Sequence, residues 1–309
     1  MRDSVVRELS SLMEYNDKII FVTADLGFGL FDEIKTKFPK RFLNVGVAEQ
    51  NMIGVSSGLA MVGFTIVAYS IGNFASLRCL EQIRNDAAYH KCPITIISSG
   101  AGFSYGQLGM SHHALEDAAI MNIIPNIKVA TPSCPSSAVA ILKDFINNNN
   151  NNNTVNYLRL DKSNNEFYND INYKLSNINF IEHGDNVCII SQGSILVNVI
   201  VARQLILSTL SINAAIIDFP YLNKIYCDDL IKSLSAFKYI ITVEEQSIIG
   251  GLGSMIANII SSTELNCKLL QIALPNEFIS IVGEQSFLRE KYGLCSNNLF
   301  NSICNFLKE

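Results

Sequence analysis

The sequence predicts an α/β protein made of two doubly wound domains. Three observations carry this. Short unbroken apolar runs recur, such as Lys18–Asp25 and Pro93–Ser98, and runs of that kind read as parallel strands covered on both faces. Helical periodicity fills the intervals between them, which is the βαβ pattern of a mainly parallel sheet. The pattern then lapses over the polar, Asn-rich stretch 161–182 and restarts at Val187. The expected organisation is a first domain over residues 1–165, a linker over 166–182 and a second domain over 183–309.

Residues 4–15 carry an apolar helical stripe of Val5, Val6, Leu9, Leu12 and Met13. Strand Lys18–Asp25 exits into a Gly-rich loop, Asp25-Leu-Gly-Phe-Gly29, which lacks the third glycine and following helix of a dinucleotide fingerprint. A helix over Phe31–Phe38 stops before Pro39. Phe42-Leu-Asn-Val-Gly-Val-Ala-Glu-Gln-Asn51 reads as a buried strand that turns into a small-residue helix at Glu49. A carboxylate here stands where open α/β sheets collect ligands, although an acid in the first turn of a helix is also favoured on its own account.

Phe64–Tyr69 is the next strand. A loop, Ser70–Phe74, leads into a helix through Leu77, Leu80, Ile83 and Ala87. The strand Pro93–Ser98 exits into a long glycine-rich loop, Ser99–Gly109, followed by the adjacent histidines His112 and His113 and a helix over Leu115–Ile123. Ile127–Ala130 is a strand, Ala138–Phe145 a helix, and Val155–Arg159 the last strand of this half. Seven consecutive asparagines, Asn147–Asn153, read as a surface loop. In the second half, strands are expected at Val187–Ser191, Ala214–Asp218, Tyr239–Glu244 and Lys268–Ala273. Helices are expected at Leu196–Leu210 and Cys227–Leu234, and Gly250-Gly-Leu-Gly253 opens another that runs to Ile260.

Composition narrows the function classes. Apolar residues make up 49% and charged residues 17%, so part of the surface is expected to be covered by other subunits. Net charge is −5 with no basic run, which argues against a nucleic-acid partner. No apolar stretch is long enough to span a membrane, and the N-terminus does not read as a signal peptide. The eight cysteines form no Cys-x-x-Cys pair and most sit in apolar surroundings, as expected of reduced core residues in a cytoplasmic protein.

The motifs carry a resemblance. Val45-Gly-Val-Ala-Glu-Gln50 with Tyr69-Ser70 is similar to the pyrimidine-binding domain of the transketolase group, which includes transketolase and 1-deoxyxylulose-5-phosphate synthase. Gly109-Met-Ser-His-His113 with Leu115-Glu-Asp-Ala118, then Ile124-Pro-Asn-Ile-Lys-Val-Ala-Thr-Pro132, then Val243-Glu-Glu-Gln246 with Gly250–Gly253, resemble three further markers of that group in the same order. The resemblance covers nearly the whole chain. It implies a thiamine diphosphate pyrimidine-binding domain followed by a transketolase C-terminal-like domain.

The resemblance also implies roles. Glu49 would hydrogen-bond the aminopyrimidine ring nitrogen and relay a proton. Phe74 would stack on that ring, and Arg78 matches an active-site arginine of the synthases. His112 would act on substrate hydroxyls or the carbonyl oxygen as donor or general acid/base. His113 would bind substrate beside it, in place of a usual glutamine. Arg159 matches an arginine that holds a sugar phosphate; the synthase pattern there reads Arg-Tyr-Pro-Arg-Gly, where this chain has Arg159-Leu-Asp-Lys-Ser163. Glu244-Glu245-Gln246 reads as a structural strand-to-helix turn.

The Gly-Asp-Gly motif that holds the diphosphate and Mg2+ in such enzymes does not occur here. The resemblance therefore implies a C-terminal subunit of a split transketolase-like enzyme, self-dimerising within an α2β2 assembly with an N-terminal subunit that carries the motif. It would transfer a two-carbon ketol unit between sugar or sugar-phosphate substrates. A pyruvate-using carboligase and the beta subunit of a 2-oxoacid dehydrogenase's first component are the rival enzymes. A noncatalytic scaffold that kept the fold is the rival from another class.

Overall fold

The computed structural model describes residues 1–152, 154–166, 178–222 and 228–308. The chain divides into two compact units, Met1–Ala101 with Ile120–Leu175, and Gly102–Ala119 with Ser176–Glu309. The two-domain α/β expectation holds, with a six-stranded sheet in the first unit and a five-stranded sheet in the second.

The first unit opens with α1 (Arg2–Tyr15), whose Val5, Leu9 and Met13 are buried, then β1 (Ile19–Thr23), α2 (Asp32–Lys37), β2 (Phe42–Asn44) and α3 (Glu49–Met61). β3 (Thr65–Ile71), α4 (Gly72–Ala75), a 3-10 turn at Leu77–Cys79, α5 (Leu80–Gln82), a π-turn at Ile83–Ala88 and β4 (Ile94–Ser99) follow. The chain returns from α6 (Asp117–Ile123) through β5 (Ile127–Ala130), α7 (Pro135–Asn152) and β6 (Val155–Leu160). The strand order is β2-β1-β3-β4-β6-β5, parallel throughout. Every residue of β1, β4 and β6 is buried. Cover on both faces accounts for the apolar runs of β1 and β4, whereas β6 also buries Asn156 and Arg159.

Four expectations need correction here. β2 is not a buried strand. It pairs on one side only, at the sheet edge, and Leu43 is 37% exposed. Ser70–Phe74 is not a loop, because β3 runs to Ile71 and α4 starts at once. The helix expected through Leu77–Ala87 is broken into short pieces. Ser76 Oγ donates to Gly72 O at 2.8 Å and Cys79 Sγ to Phe74 O at 3.4 Å, and both contacts compete for carbonyls that a regular helix needs. The asparagine run is not a loop as far as Asn152. α7 carries on through it, since extending a formed helix costs less than starting one. Asn153 lies outside the described residues.

In the second unit, β7 (Asn179–Glu182), β8 (Asn186–Ser191), α8 (Leu196–Leu210), β9 (Ala215–Asp218), α9 (Asp228–Leu234) and β10 (Phe237–Ser247) come first. They are followed by α10 (Leu252–Ser262), β11 (Lys268–Leu274), α11 (Gln285–Lys291) and α12 (Ser296–Lys308). The order is β11-β10-β8-β9-β7, with β7 antiparallel to β9 and the rest parallel. β7 falls in the stretch read from sequence as linker. Its four half-buried residues carry no strong alternation, and residues 167–177 lie outside the described residues. The sequence reading passed over α11 and α12; α12 buries Leu299, Ile303 and Cys304 and packs on α8.

The seven described cysteines are free, and Cys227 lies outside the described residues. Among the described residues no helix is long and apolar enough to cross a membrane.

Candidate active site

In the first sheet the chain leaves β1 toward β2 on one side and comes back with β3 on the other, so the carboxyl ends of β1 and β3 border a switch point. Crevices at such points are where open α/β sheets bind ligands. Two exits define this one. After β1, Asp25 takes a left-handed conformation at φ 56°. Its amide donates to Asn44 Oδ1 at 2.9 Å, and Asn44 Nδ2 donates back to Asp25 Oδ1 at 2.9 Å. Asn44 Oδ1 also accepts from Gly46 N at 3.0 Å. One amide side chain thus ties the exit of β1 to that of β2 and directs the chain into α3.

Glu49 is the first residue of α3 and is 2% exposed. It is therefore not a solvent-facing acid placed only by the preference of a helix start. Its Oε1 accepts from Ser70 Oγ on β3 at 3.3 Å, and its Oε2 accepts from Arg78 Nη1 at 2.8 Å. The Arg78 guanidinium lies 4.0 Å from the centroid of the Phe74 ring, a cation–π distance. Glu49, Phe74 and Arg78 are therefore brought together as the sequence reading grouped them. Arg78 makes this contact from the 3-10 turn Leu77–Cys79. Phe74 is half-buried, and the Arg78 side chain is 44% exposed against 1% for Glu49. Beneath them, burial and then the charge of Glu49 push the Cys79 thiol up to about 12.

His112 and His113 belong to the second unit with the rest of Gly102–Ala119. His113 is 3% exposed, its Nε2–H donates to Gly106 O at 3.1 Å, and its ring meets Phe103 edge-on at 5.3 Å. It braces the loop from within. His112 is half-buried, with Nδ1 3.0 Å from Ser111 Oγ and its ring 6.2 Å from that of Tyr105. Of the two, His112 is the one with a face toward solvent.

The loop is anchored by Glu245, whose Oε1 accepts from Phe103 N at 2.7 Å and Gln285 Nε2 at 2.9 Å. Glu245 Oε2 accepts from Arg289 Nε, while Arg289 Nη2 donates to Ser194 Oγ at 2.7 Å. Its neighbour Glu244 has a different task. Its carboxylate accepts from Leu252 N at 2.7 Å and Gly253 N at 2.8 Å, the free amides at the start of α10. These contacts are the strand-to-helix turn expected from the Glu-Glu-Gln and glycine motif.

Arg159 lies on β6 in register with Ser98 and is 3% exposed, buried in the first unit. Asp161, two residues on, is also buried, and its Oδ1 accepts from Ser163 N at 2.6 Å. Sequence reasoning gave no role to Ser70, Asn44 or Arg289. Of these only Ser70 carries a signal, as the polar residue that follows the apolar run Phe64–Tyr69.

Comparison with known proteins bears on what this site is. Residues 1–166 match the family model described as transketolase, pyrimidine binding domain, and residues 176–298 the one described as transketolase, C-terminal domain. The chain is 32% identical over 314 residues to a putative transketolase C-terminal section of Methanocaldococcus jannaschii, covering 100% of this chain and 96% of that protein. It is 27% identical over 265 residues to one of the subunits of an apulose-4-phosphate transketolase of Actinobacillus succinogenes, covering 85% of this chain and 84% of that one. A solved structure described as a split gene transketolase, inactive beta4 tetramer, superposes with a TM-score of 0.84 at 29% identity, covering 98% of this chain and 96% of that one.

Proposed function

Given that this chain belongs to the transketolase family, through a pyrimidine-binding domain followed by a C-terminal domain, we propose that it is the C-terminal subunit of a split transketolase. With a partner chain it would transfer a two-carbon ketol unit between sugar or sugar-phosphate substrates. The observation that carries the reading is the buried carboxylate of Glu49, joined through the Arg78 guanidinium to the Phe74 ring near the sheet's switch point. A buried acid next to an aromatic face suits a planar, basic heteroaromatic ring, and the planar Arg78 cation already bridges the two groups. That is the fit expected for the aminopyrimidine of thiamine diphosphate.

Thiamine diphosphate supplies, when bound, a thiazolium carbon acidic enough to be deprotonated and to add to a ketone. This chain's residues would do the rest at their own atoms. Glu49 would hold a proton against the ring nitrogen, and Ser70 would orient its other oxygen. Phe74 would offer the stacking face, with Arg78 at the rim. His112 would donate to or accept from substrate oxygens, with His113 holding its loop in shape. Arg159 would lend positive charge from β6. Among the described residues no three His, Cys, Asp or Glu side chains gather as an ion site, and the reading assigns Mg2+ and the diphosphate to the partner. Domain limits near residues 165 and 183 and a cytoplasmic α2β2 assembly, self-dimerising through this chain, belong to the same proposal.

The transketolase reading is preferred to the pyruvate-using rivals because the relatives matched over most of their own length are named as a transketolase section or a transketolase subunit, while a synthase relative is matched over 48% of its length. Reconstitution tests it. The chain alone should show neither ketol transfer nor tight thiamine diphosphate binding, and both should appear with a partner carrying Gly-Asp-Gly. Turnover by the pure single chain would refute the split arrangement, and pyruvate-dependent carbon dioxide release by the pair would favour the carboligase.

A further inference from the structure

We infer that Arg78 is a displaceable occupant of the ring pocket, taking the contacts of the aminopyrimidine until the cofactor enters. The inference rests on the thiamine reading above. It assigns Arg78 a role opposite to that of a simple binding residue.

The geometry is that of an internal substitute. A guanidinium is a flat cation with N–H groups along its edge and π-faces above and below. Here its Nη1 donates to Glu49 Oε2 at 2.8 Å and its Cζ lies over the Phe74 ring, 4.0 Å from the centroid. An aminopyrimidine ring held by the same carboxylate and stacked on the same phenyl ring would need both places. Arg78 and the ring cannot hold them together.

The two ends of the ion pair differ in freedom. The Glu49 side chain is 1% exposed and fixed at the start of α3, whereas that of Arg78 is 44% exposed on a short 3-10 turn. When the pair opens, the arginine is the group that moves, toward solvent. Its presence also has a reason. A lone buried carboxylate is costly, and Glu49's other contact is one hydroxyl at 3.3 Å. Arg78 keeps the acid compensated while the pocket lacks its cofactor. The cost is reduced apparent affinity, because only the fraction of molecules with Arg78 withdrawn can accept the ring.

The test is calorimetric titration of thiamine diphosphate into the reconstituted pair, with wild type, Arg78→Met and Arg78→Lys. Thiamine diphosphate is an anion, so simple charge attraction predicts weaker binding when Arg78 is removed. Displacement predicts the reverse: roughly three- to tenfold tighter binding for Arg78→Met. Arg78→Lys should fall between, since lysine keeps the charge but has no plane to lay on Phe74. The difference from wild type should shrink as salt rises from about 0.05 to about 0.5 M, because salt screens the pair on its exposed Arg78 side. Equal or weaker binding by Arg78→Met overturns the inference and leaves the cofactor reading standing. If Arg78→Met does not fold, Arg78→Lys decides by the same criterion. If no pair binds thiamine diphosphate, the cofactor reading fails and takes this inference with it.

Discussion

The amide of Phe103 donates to the carboxylate of Glu245 at 2.7 Å across 142 residues of sequence. This contact places the glycine-rich loop, with its two histidines, in the second unit. It also explains a glycine. Gly102 has φ +59°, and a Cβ there would stand 2.2 Å from Glu245 Oε1. A side chain would be strained by the backbone and blocked by the carboxylate at once.

Glu245→Ala should therefore destabilise the second unit by about 3 kcal/mol, since it leaves the Arg289 guanidinium buried without its carboxylate. Denaturant unfolding measures the loss, and hydrogen exchange should show the Phe103 amide losing protection. Retained protection at Phe103 would contradict the anchoring role.

Glu244 acts through a helix end, so its replacements should grade. Glu244→Gln keeps one acceptor for the Leu252 and Gly253 amides, while Glu244→Ala keeps none. Expected losses are about 1 kcal/mol and about 2 kcal/mol, in that order. A glutamine variant less stable than the alanine one would sink this account.

Glu49→Gln retains the size of the side chain and most of its packing but cannot relay a proton. In the reconstituted pair, thiazolium proton exchange followed by NMR should drop by at least about a hundredfold, the usual worth of a general acid–base group. Exchange at the wild-type rate would remove Glu49 from the mechanism.

The buried thiols set a pH limit. Burial pushes Cys79 up to about 12 and Cys134 up to about 11 from an ordinary 9.0. Both should resist alkylation near pH 8 in the folded protein and react on unfolding, because the thiolate is the nucleophile. Between pH 9 and the folded values, the native chain keeps protons that the unfolded chain has lost. Stability should accordingly fall as pH rises through that window. Mass spectrometry after native alkylation checks the first point, and thermal unfolding across alkaline pH the second.

Much of the first sheet was legible because parallel strands covered on both faces become unbroken apolar runs. β1, β3 and β4 are legible for that reason, and β6 in spite of the Asn156 and Arg159 within it. β2 was misjudged as buried because three residues cannot reveal an edge, and β7 because a half-exposed edge strand looks like linker. The grouping of Glu49 with Phe74 and Arg78 was readable from motif order, while the ion pair within it was not, since it depends on a helix broken by Ser76 and Cys79. α12 was missed although Leu299, Ile303 and Cys304 follow helical spacing, because it comes after another helix and so falls outside the alternation of strand and helix. Nothing in local sequence links Phe103 to Glu245, which meet only through tertiary packing.

The detour of Gly102–Ala119 into the second unit has a bearing on how such proteins can be rearranged. The family matches break between residues 166 and 176, and a gene divided there would look like a clean exchange of modules. The histidine segment would travel with the first half and leave its glutamate anchor behind in the second. The stretch that matches a family domain and the stretch that packs as one compact unit are therefore different lengths of this chain. Shuffled halves can succeed only if the donor's loop and the recipient's carboxylate are already matched.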